Sequence, residues 1–430
     1  MIGISLGVSF AQTQIISKVQ SVQGVTHELY STQKVVMENP TTTIAFSHNF
    51  ATGNPCTFYR IDSNNVTTDV VILDTAFEVK DMVILNNYLY FCGNFKNTTG
   101  FIAKANINDL FYNTLQFEYD KIPISISIDK IEAYIYNNAT QIVAIGTDTN
   151  VTQPYHPMQF LLHSNEALGW FYRIYYSNDP AERMDDLELT NHYVVTVGKK
   201  YTEAGDFIVR RYDKTNIPIN NGTIQPFTEN AIDNFHCKAT QGDDIGIAGT
   251  TFDANANTKT LCLVFDVVGL TINQSQYING YQNQNIIIRD MAYDPSDNHI
   301  LLIEQTPSLQ YPIYEYAVVD WDIYNIPSLV KMYYSIPNTN DSLSGICVLD
   351  SSNQRFAVVG ANIPDAEFFI WYGDRNTING DCNIPENEQT QPFSLNSGKL
   401  PTSQSTPQIN INWDTQNVIK TILPIPIICN

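Results

Sequence analysis

The chain has 430 residues and a formal net charge of -21; 43% of its residues are hydrophobic, 12% aromatic and only 16% charged. So acidic a chain repels phosphate backbones, which argues against nucleic acid as a partner, and it is poorly suited to anionic membrane surfaces. The apolar content is too high for disorder, and beyond the N-terminus no apolar run approaches the ~18 residues of a membrane-spanning helix. The balance suits cationic partners, Ca²⁺ or neutral ligands such as glycans, or simply keeps the surface dispersed.

In chain order, Ile2 to Phe10 followed by Ala11 has the apolar core and small-residue end of a secretory signal without its basic start. Residues 1–12 are therefore expected to be a signal segment, cleaved after Ala11, and the protein exported; the alternative is an ordinary first strand. The 25 Tyr and 21 Phe, with many Val, Ile and Thr, favour the half-buried surface of strands.

From about Val35 the sequence repeats itself. A first, weaker copy runs to Leu73, with Thr43 to Phe46 and Cys56 to Ile61 as its middle strands. Six stronger copies open alike: Val79-Lys80-Asp81-Met82, Ile128-Asp129-Lys130-Ile131, Met184-Asp185-Asp186-Leu187, Ile232-Asp233-Asn234-Phe235, Ile288-Arg289-Asp290-Met291 and Leu343-Ser344-Gly345-Ile346. A more apolar run follows each opening and usually closes in glycine, as at Gly93, Gly146, Gly198, Gly249 and Gly360; the sixth copy of the seven has Glu304 instead. Third runs follow, such as Phe101 to Lys104 and Phe207 to Tyr212. Fourth runs include Leu115 to Tyr119, Trp170 to Tyr176 and Leu329 to Tyr334. The openings recur about every 48 to 56 residues, a spacing suited to four-stranded units.

A four-stranded sheet cannot hide both its faces, so such units stack and each covers the next. The expected fold is all-β: a β-propeller of seven four-stranded blades over residues 13–380, followed by a tail, 381–430. The last copy lacks a fourth strand, because Gly380 to Ser405 reads as polar and turn-like. That strand is expected from Gln14 to Val22, or from the tail around Ile409 to Leu423. Rings of six or eight blades, or separate β-sandwiches, are the alternatives.

Tyr88-Leu89-Tyr90-Phe91-Cys92-Gly93, followed by Gly100-Phe101-Ile102-Ala103 and Asn106-Ile107-Asn108-Asp109-Leu110-Phe111, resembles secreted propeller-like proteins of Bacteroides-type bacteria. The resemblance implies fold and export and carries no activity.

Chemical signatures are sparse. The seven cysteines are dispersed with no C-x-x-C pair, which excludes a zinc ribbon or thioredoxin-like motif; Cys382 and Cys429 bracket the tail and could form a disulfide. No histidine pair has metal-ligand spacing, and there is no nucleophile elbow, P-loop, dinucleotide fingerprint or calcium loop. No cofactor or metal is expected. Asp81, Asp186 and Asp290 occupy equivalent places in three openings, with Lys130 and Asn234 in two more. These five are candidate ligand-binding residues at an axial mouth, although repetition in every copy favours a backbone-capping role. Trp321, in Asp320-Trp321-Asp322, is the candidate exposed platform for a sugar ring. The functional expectation is a binding or scaffold module for glycan or protein ligands. A polysaccharide hydrolase or lyase with carboxylates at the mouth is the alternative.

Overall fold

The computed structural model describes residues 15–19, 32–48, 55–62, 67–96, 99–122, 126–152, 157–166, 171–176, 182–200, 207–215, 223–228, 233–252, 258–278, 287–307, 314–324, 329–334, 341–350, 354–362 and 367–375, and tail segments 385–392, 396–397, 400–401, 408–410, 414–424 and 427–429. The signal-like residues 1–12 and Cys382 lie outside them. The described chain is all-β, apart from one short helix, Ile107–Phe111, capped by the Asn106 side chain.

The strands form seven antiparallel units. Unit 1 is Thr32–Asn39, Thr42–His48, Thr57–Asp62 and Thr67–Ile72. Unit 2 is Phe77–Leu85, Tyr88–Phe95, Thr99–Asn106 and Gln116–Lys121. Unit 3 is Ile126–Tyr136, Ala139–Thr152, Pro157–Asn165 and Phe171–Tyr176. Unit 4 is Glu182–Leu189, Tyr193–Lys200, Phe207–Asp213 and Thr223–Thr228. Unit 5 is Asp233–Ala239, Asp244–Phe252, Thr258–Asp266 and Thr271–Ile278. Unit 6 is Ile287–Asp294, His299–Pro307, Tyr314–Asp322 and Leu329–Tyr334. Unit 7 has three consecutive strands, Asp341–Asp350, Arg355–Asn362 and Glu367–Asp374. Its fourth is Ile15–Val19, paired antiparallel to Phe368–Tyr372. Of the two expected sources of that strand, the N-terminal one supplies it.

The repeated opening has a mechanical reason. In a regular strand, residues three apart point to opposite faces. Five of the six openings instead carry a bulge between their two apolar residues, at Val79/Asp81, Ile128/Lys130, Met184/Asp186, Ile288/Asp290 and Leu343/Gly345, and in unit 5 the register shifts between Asp233 and His236. The extra residue turns both apolar side chains the same way. Val79 and Met82 accordingly enter one core cluster, Ile128 and Ile131 another, and Met184 and Leu187 a third.

The closing glycine belongs to the same device. Gly93 pairs with Val79, Gly146 with Ile128 and Gly198 with Met184, each just before the bulge. A Cβ on Gly93 would overlap the Glu78 carbonyl oxygen, with the carbonyl carbon only 2.9 Å away. Close approach, not positive φ, is what these positions require.

Second strands are buried on both faces, as their unbroken apolar runs anticipate. In unit 3, Ile142 and Ala144 join Cys92 and Ile102 of unit 2, while Val143 and Ile145 join Leu187 and Val194 of unit 4. Every pair of consecutive units shares such a cluster, and one more links unit 7 to unit 1, where Tyr59 stacks on Phe368 at 4.3 Å. The first strand of unit 1 touches those of both unit 2 and unit 7.

The tail departs from expectation. Within the stretch read as turn-like lie strands Pro385–Pro392, Asn396–Ser397 and Leu400–Pro401. Gln408–Asn410, Asp414–Asn417, Ile419–Pro424 and Ile427–Cys429 follow. These add to the outer edges of the units; Pro385–Pro392 joins units 5 and 6 into one nine-stranded sheet. Edge pairing through the main chain needs no apolar alternation, so sequence patterning does not reveal it.

Candidate functional site

The position after the bulge is where the expected carboxylates sit, and the structure gives them neighbours. Asp81 Oδ2 accepts the Ile131 N–H of unit 3 at 2.9 Å, Asp186 Oδ2 the Cys237 N–H of unit 5 at 2.9 Å, and Asp290 Oδ2 the Ile346 N–H of unit 7 at 3.0 Å. Each aspartate thus ties its unit to the next through a main-chain donor. A cation of the preceding unit backs two of them: Lys34 Nζ pairs with Asp81, and Lys130 Nζ lies 3.4 Å from Asp186. His236 stands in unit 5 at this level, its Nδ1 3.7 Å from Asp186.

Cation and carboxylate therefore alternate along a series, Lys34, Asp81, Lys130 and Asp186, and the His236 imidazole stands between Asp186 and Asp290. Gly345 of unit 7 interrupts it, because a Cβ there would lie 2.8 Å from the Lys34 Cα. Asn234 lies in the first strand of unit 5, and its side chain is outside the described set. At the neighbouring level, Lys80, the bulge residue of unit 2, bonds Asp129 and Ser127 of unit 3, both at 2.7 Å.

Two residues further along the first strands sits a second set that motif reasoning missed: Glu132, Glu188 and Lys238, from units 3, 4 and 5. Lys238 Nζ donates to Glu188 Oε2 at 2.7 Å. The only sequence signal is a shared offset of two from Lys130, Asp186 and His236. These groups are enclosed by protein yet partly accessible, with a quarter of the Lys238 side chain exposed.

The electrostatics follow from enclosure. Burial, then the neighbouring Glu188 charge, pushes the Glu132 carboxyl up to about 8, against the pull of Lys238 and Lys34. Burial alone would also raise Asp186, but Lys130, His236 and Lys238 outweigh it and hold that carboxyl well below the usual range. Burial opposes the charge of Lys130, and Asp186, Asp81 and Asp290 more than restore it. Burial lowers His236, with Asp186 only partly compensating.

Trp321 is not an exposed platform: it is wholly buried with Ile300, Val319 and Ile323 between units 5 and 6, because strand alternation turns it inward. Asp294 and Asp297 share the Arg375 guanidinium; Nη1 is 3.2 Å from Asp294 and Nη2 pairs with Asp297. Asp320 binds His299 Nδ1 at 2.6 Å. Asp213 and Asp266 accept backbone N–H groups of the turns that follow them. Among the described residues no group of three or more His, Cys, Asp or Glu is placed to hold a metal, and no helix is long and apolar enough to cross a membrane.

One face of the units differs from the enclosed series. Among the described residues, the large exposed hydrophobics are Met37, Tyr88, Tyr112, Ile135, Val268 and Tyr324. All six lie at the end of a first strand, the start of a second, or the connection from third to fourth. Antiparallel topology puts those places at the same end of the strands. There, between units 2 and 3, a cleft of about 190 Å³ is lined by Leu85, Tyr88, Tyr90, Lys104, Thr140 and Glu166. The Tyr88 and Tyr90 rings lie 6.4 Å apart, and Glu166 Oε2 accepts the Thr140 N–H at 3.1 Å.

The chain matches no protein-family model and no curated protein sequence.

Proposed function

We propose that the seven units close into a seven-bladed β-propeller, exported from the cell, that acts as a binding or scaffold module for glycan or protein ligands. Support for closure comes from the shared clusters, the last of which joins units 7 and 1. The observation that carries the functional reading is the employment of Asp81, Asp186 and Asp290, each engaged by the backbone of the next unit. Carboxylates held this way fix the geometry between units and are poorly available for acid–base work.

Binding falls instead to the face bearing Tyr88, Tyr112 and Tyr324. The cleft beside Tyr88 combines an aromatic surface, a carboxylate and an ammonium, a set suited to a hydroxylated ring. A glycan array probed with the full chain, Tyr88→Ala and Glu166→Gln tests this. Binding lost in Tyr88→Ala, with far-UV circular dichroism unchanged, is expected. Equal binding by all three proteins, or none to any glycan, would remove the cleft from the account.

One observation favours the second reading, a polysaccharide hydrolase or lyase. Burial and the Glu188 charge raise the Glu132 carboxyl to about 8, and Glu188 itself is engaged by Lys238 at 2.7 Å, so two carboxylates of unlike environment stand close together. Turnover of a polysaccharide that Glu132→Gln abolishes would establish it.

A further inference from the structure

The tail runs backwards over the whole molecule. Pro385–Pro392 pairs with the outer strands of units 6 and 5, then short strands pair with unit 4, and Gln408–Asn410 pairs with unit 3. Asp414–Asn417 pairs with unit 2, Ile419–Pro424 with unit 1, and Ile427–Cys429 with the N-terminal strand in unit 7. Every pairing is antiparallel and every acceptor is a fourth strand, otherwise the open edge of its unit.

Three features set this segment apart from the units it covers. Its strands follow the units in reverse order, and each meets the edge of a unit that precedes it in the chain. Its segments are short, two to eight residues, so each alone is weak and they hold together as linked contacts. Among the described side chains, Val418 is the one tail residue in a core cluster.

The side-chain anchorage that is described gathers at the junction of units 1 and 2. The Val418 N–H donates to the Leu115 carbonyl at 2.9 Å, and Gln116 Nε2 to Asn417 Oδ1 at 2.6 Å. Lys420 Nζ lies 3.0 Å from Asp69 and 4.1 Å above the Tyr112 ring.

We propose that residues 385–429 are a detachable strap, and that the outer edges of the units form a strand-acceptor surface able to take the same segment from a second copy of the chain. Recognition is by main-chain pairing along the edges, with Val418 and Lys420 fixing the register. In place, the strap covers edges that would otherwise template association. Exchanged between copies, it links them.

The test uses the full chain with a sequence-specific protease site inserted within residues 376–384. After folding and cleavage, the protein is mixed with a fluorescein-labelled synthetic peptide of residues 408–424. The expected result is a saturable rise in anisotropy at one peptide per molecule, with far-UV circular dichroism unchanged. A Val418→Asp, Lys420→Ala peptide is expected to bind at least tenfold more weakly. Loss of β structure when the strap leaves would overturn the proposal, as would no uptake of the peptide, or equal uptake of the variant.

Discussion

Replacing Gly93 with Ala puts one methyl group where the second strand of unit 2 crosses the start of the first. The new Cβ would overlap the Glu78 carbonyl oxygen and lie 2.9 Å from its carbon and 3.1 Å from the Lys80 nitrogen. All three atoms are backbone, held by the bulge pairing of Val79 and Asp81. No side chain can rotate away, so the pairing must open. Overpacking of this kind typically costs about 1–3 kcal/mol, and the rigid neighbours place Gly93→Ala near ~3 kcal/mol. Gly242 is the control: its φ of +77° strains an alanine, but nothing lies within 4 Å, so about 1–2 kcal/mol is expected. Urea unfolding followed by far-UV circular dichroism compares the two. A Gly93→Ala midpoint equal to wild type, or a loss no larger than that of Gly242→Ala, would refute the account of the repeat glycine.

Asp186→Ala should destabilise by about 3–5 kcal/mol at neutral pH, because it strands Lys130 and the Cys237 N–H in an enclosed site. With its carboxyl held low in the fold, wild type keeps this contribution above ~pH 4 and loses it as pH falls further, so the gap to the variant should narrow in acid unfolding curves. Glu132 has the opposite sign: its raised carboxyl makes folding less favourable as pH climbs from ~4.5 towards about 8. Glu132→Gln should therefore gain stability over wild type at pH 8 and little at pH 4.5, as urea midpoints would show. Burial disfavours a charged His299, but the Asp320 bond and charge outweigh this and raise its pKa. Its contribution is full below ~pH 6.5 and disappears as pH rises through the folded value; His299→Gln should flatten the stability profile across that window.

The units were legible because each opening obeys a mechanical rule. Two apolar residues three apart, followed by a run ending in glycine, mark a bulge and the crossing that it forces, and Val79, Met82 and Gly93 meet as that pattern implies. Unit 1 was faint because its first strand lacks that bulge: Gln33 and Lys34 pair regularly with Ser47 and Phe46. Only the part of the tail from Gly380 to Ser405 was misread as turn-like, because strands such as Pro385–Pro392 contact their neighbours through the main chain, and polar residues serve that as well as apolar ones. Asp81, Asp186 and Asp290 could be found by equivalence, whereas their partners could not. The Ile131, Cys237 and Ile346 amides belong to following units, and only the stacking of units brings them within reach. Trp321 was misplaced because nearness to a loop in sequence says little about which face a strand residue takes.

Closure of unit 7 onto unit 1 is the central claim, and the stacked Tyr59–Phe368 pair reports on it directly. A double-mutant cycle with Tyr59→Leu and Phe368→Leu, read by urea unfolding, should return a coupling of about 0.5–1.5 kcal/mol between residues this far apart in sequence. Strictly additive effects would mean that the two units do not face each other in solution, and the ring would be open.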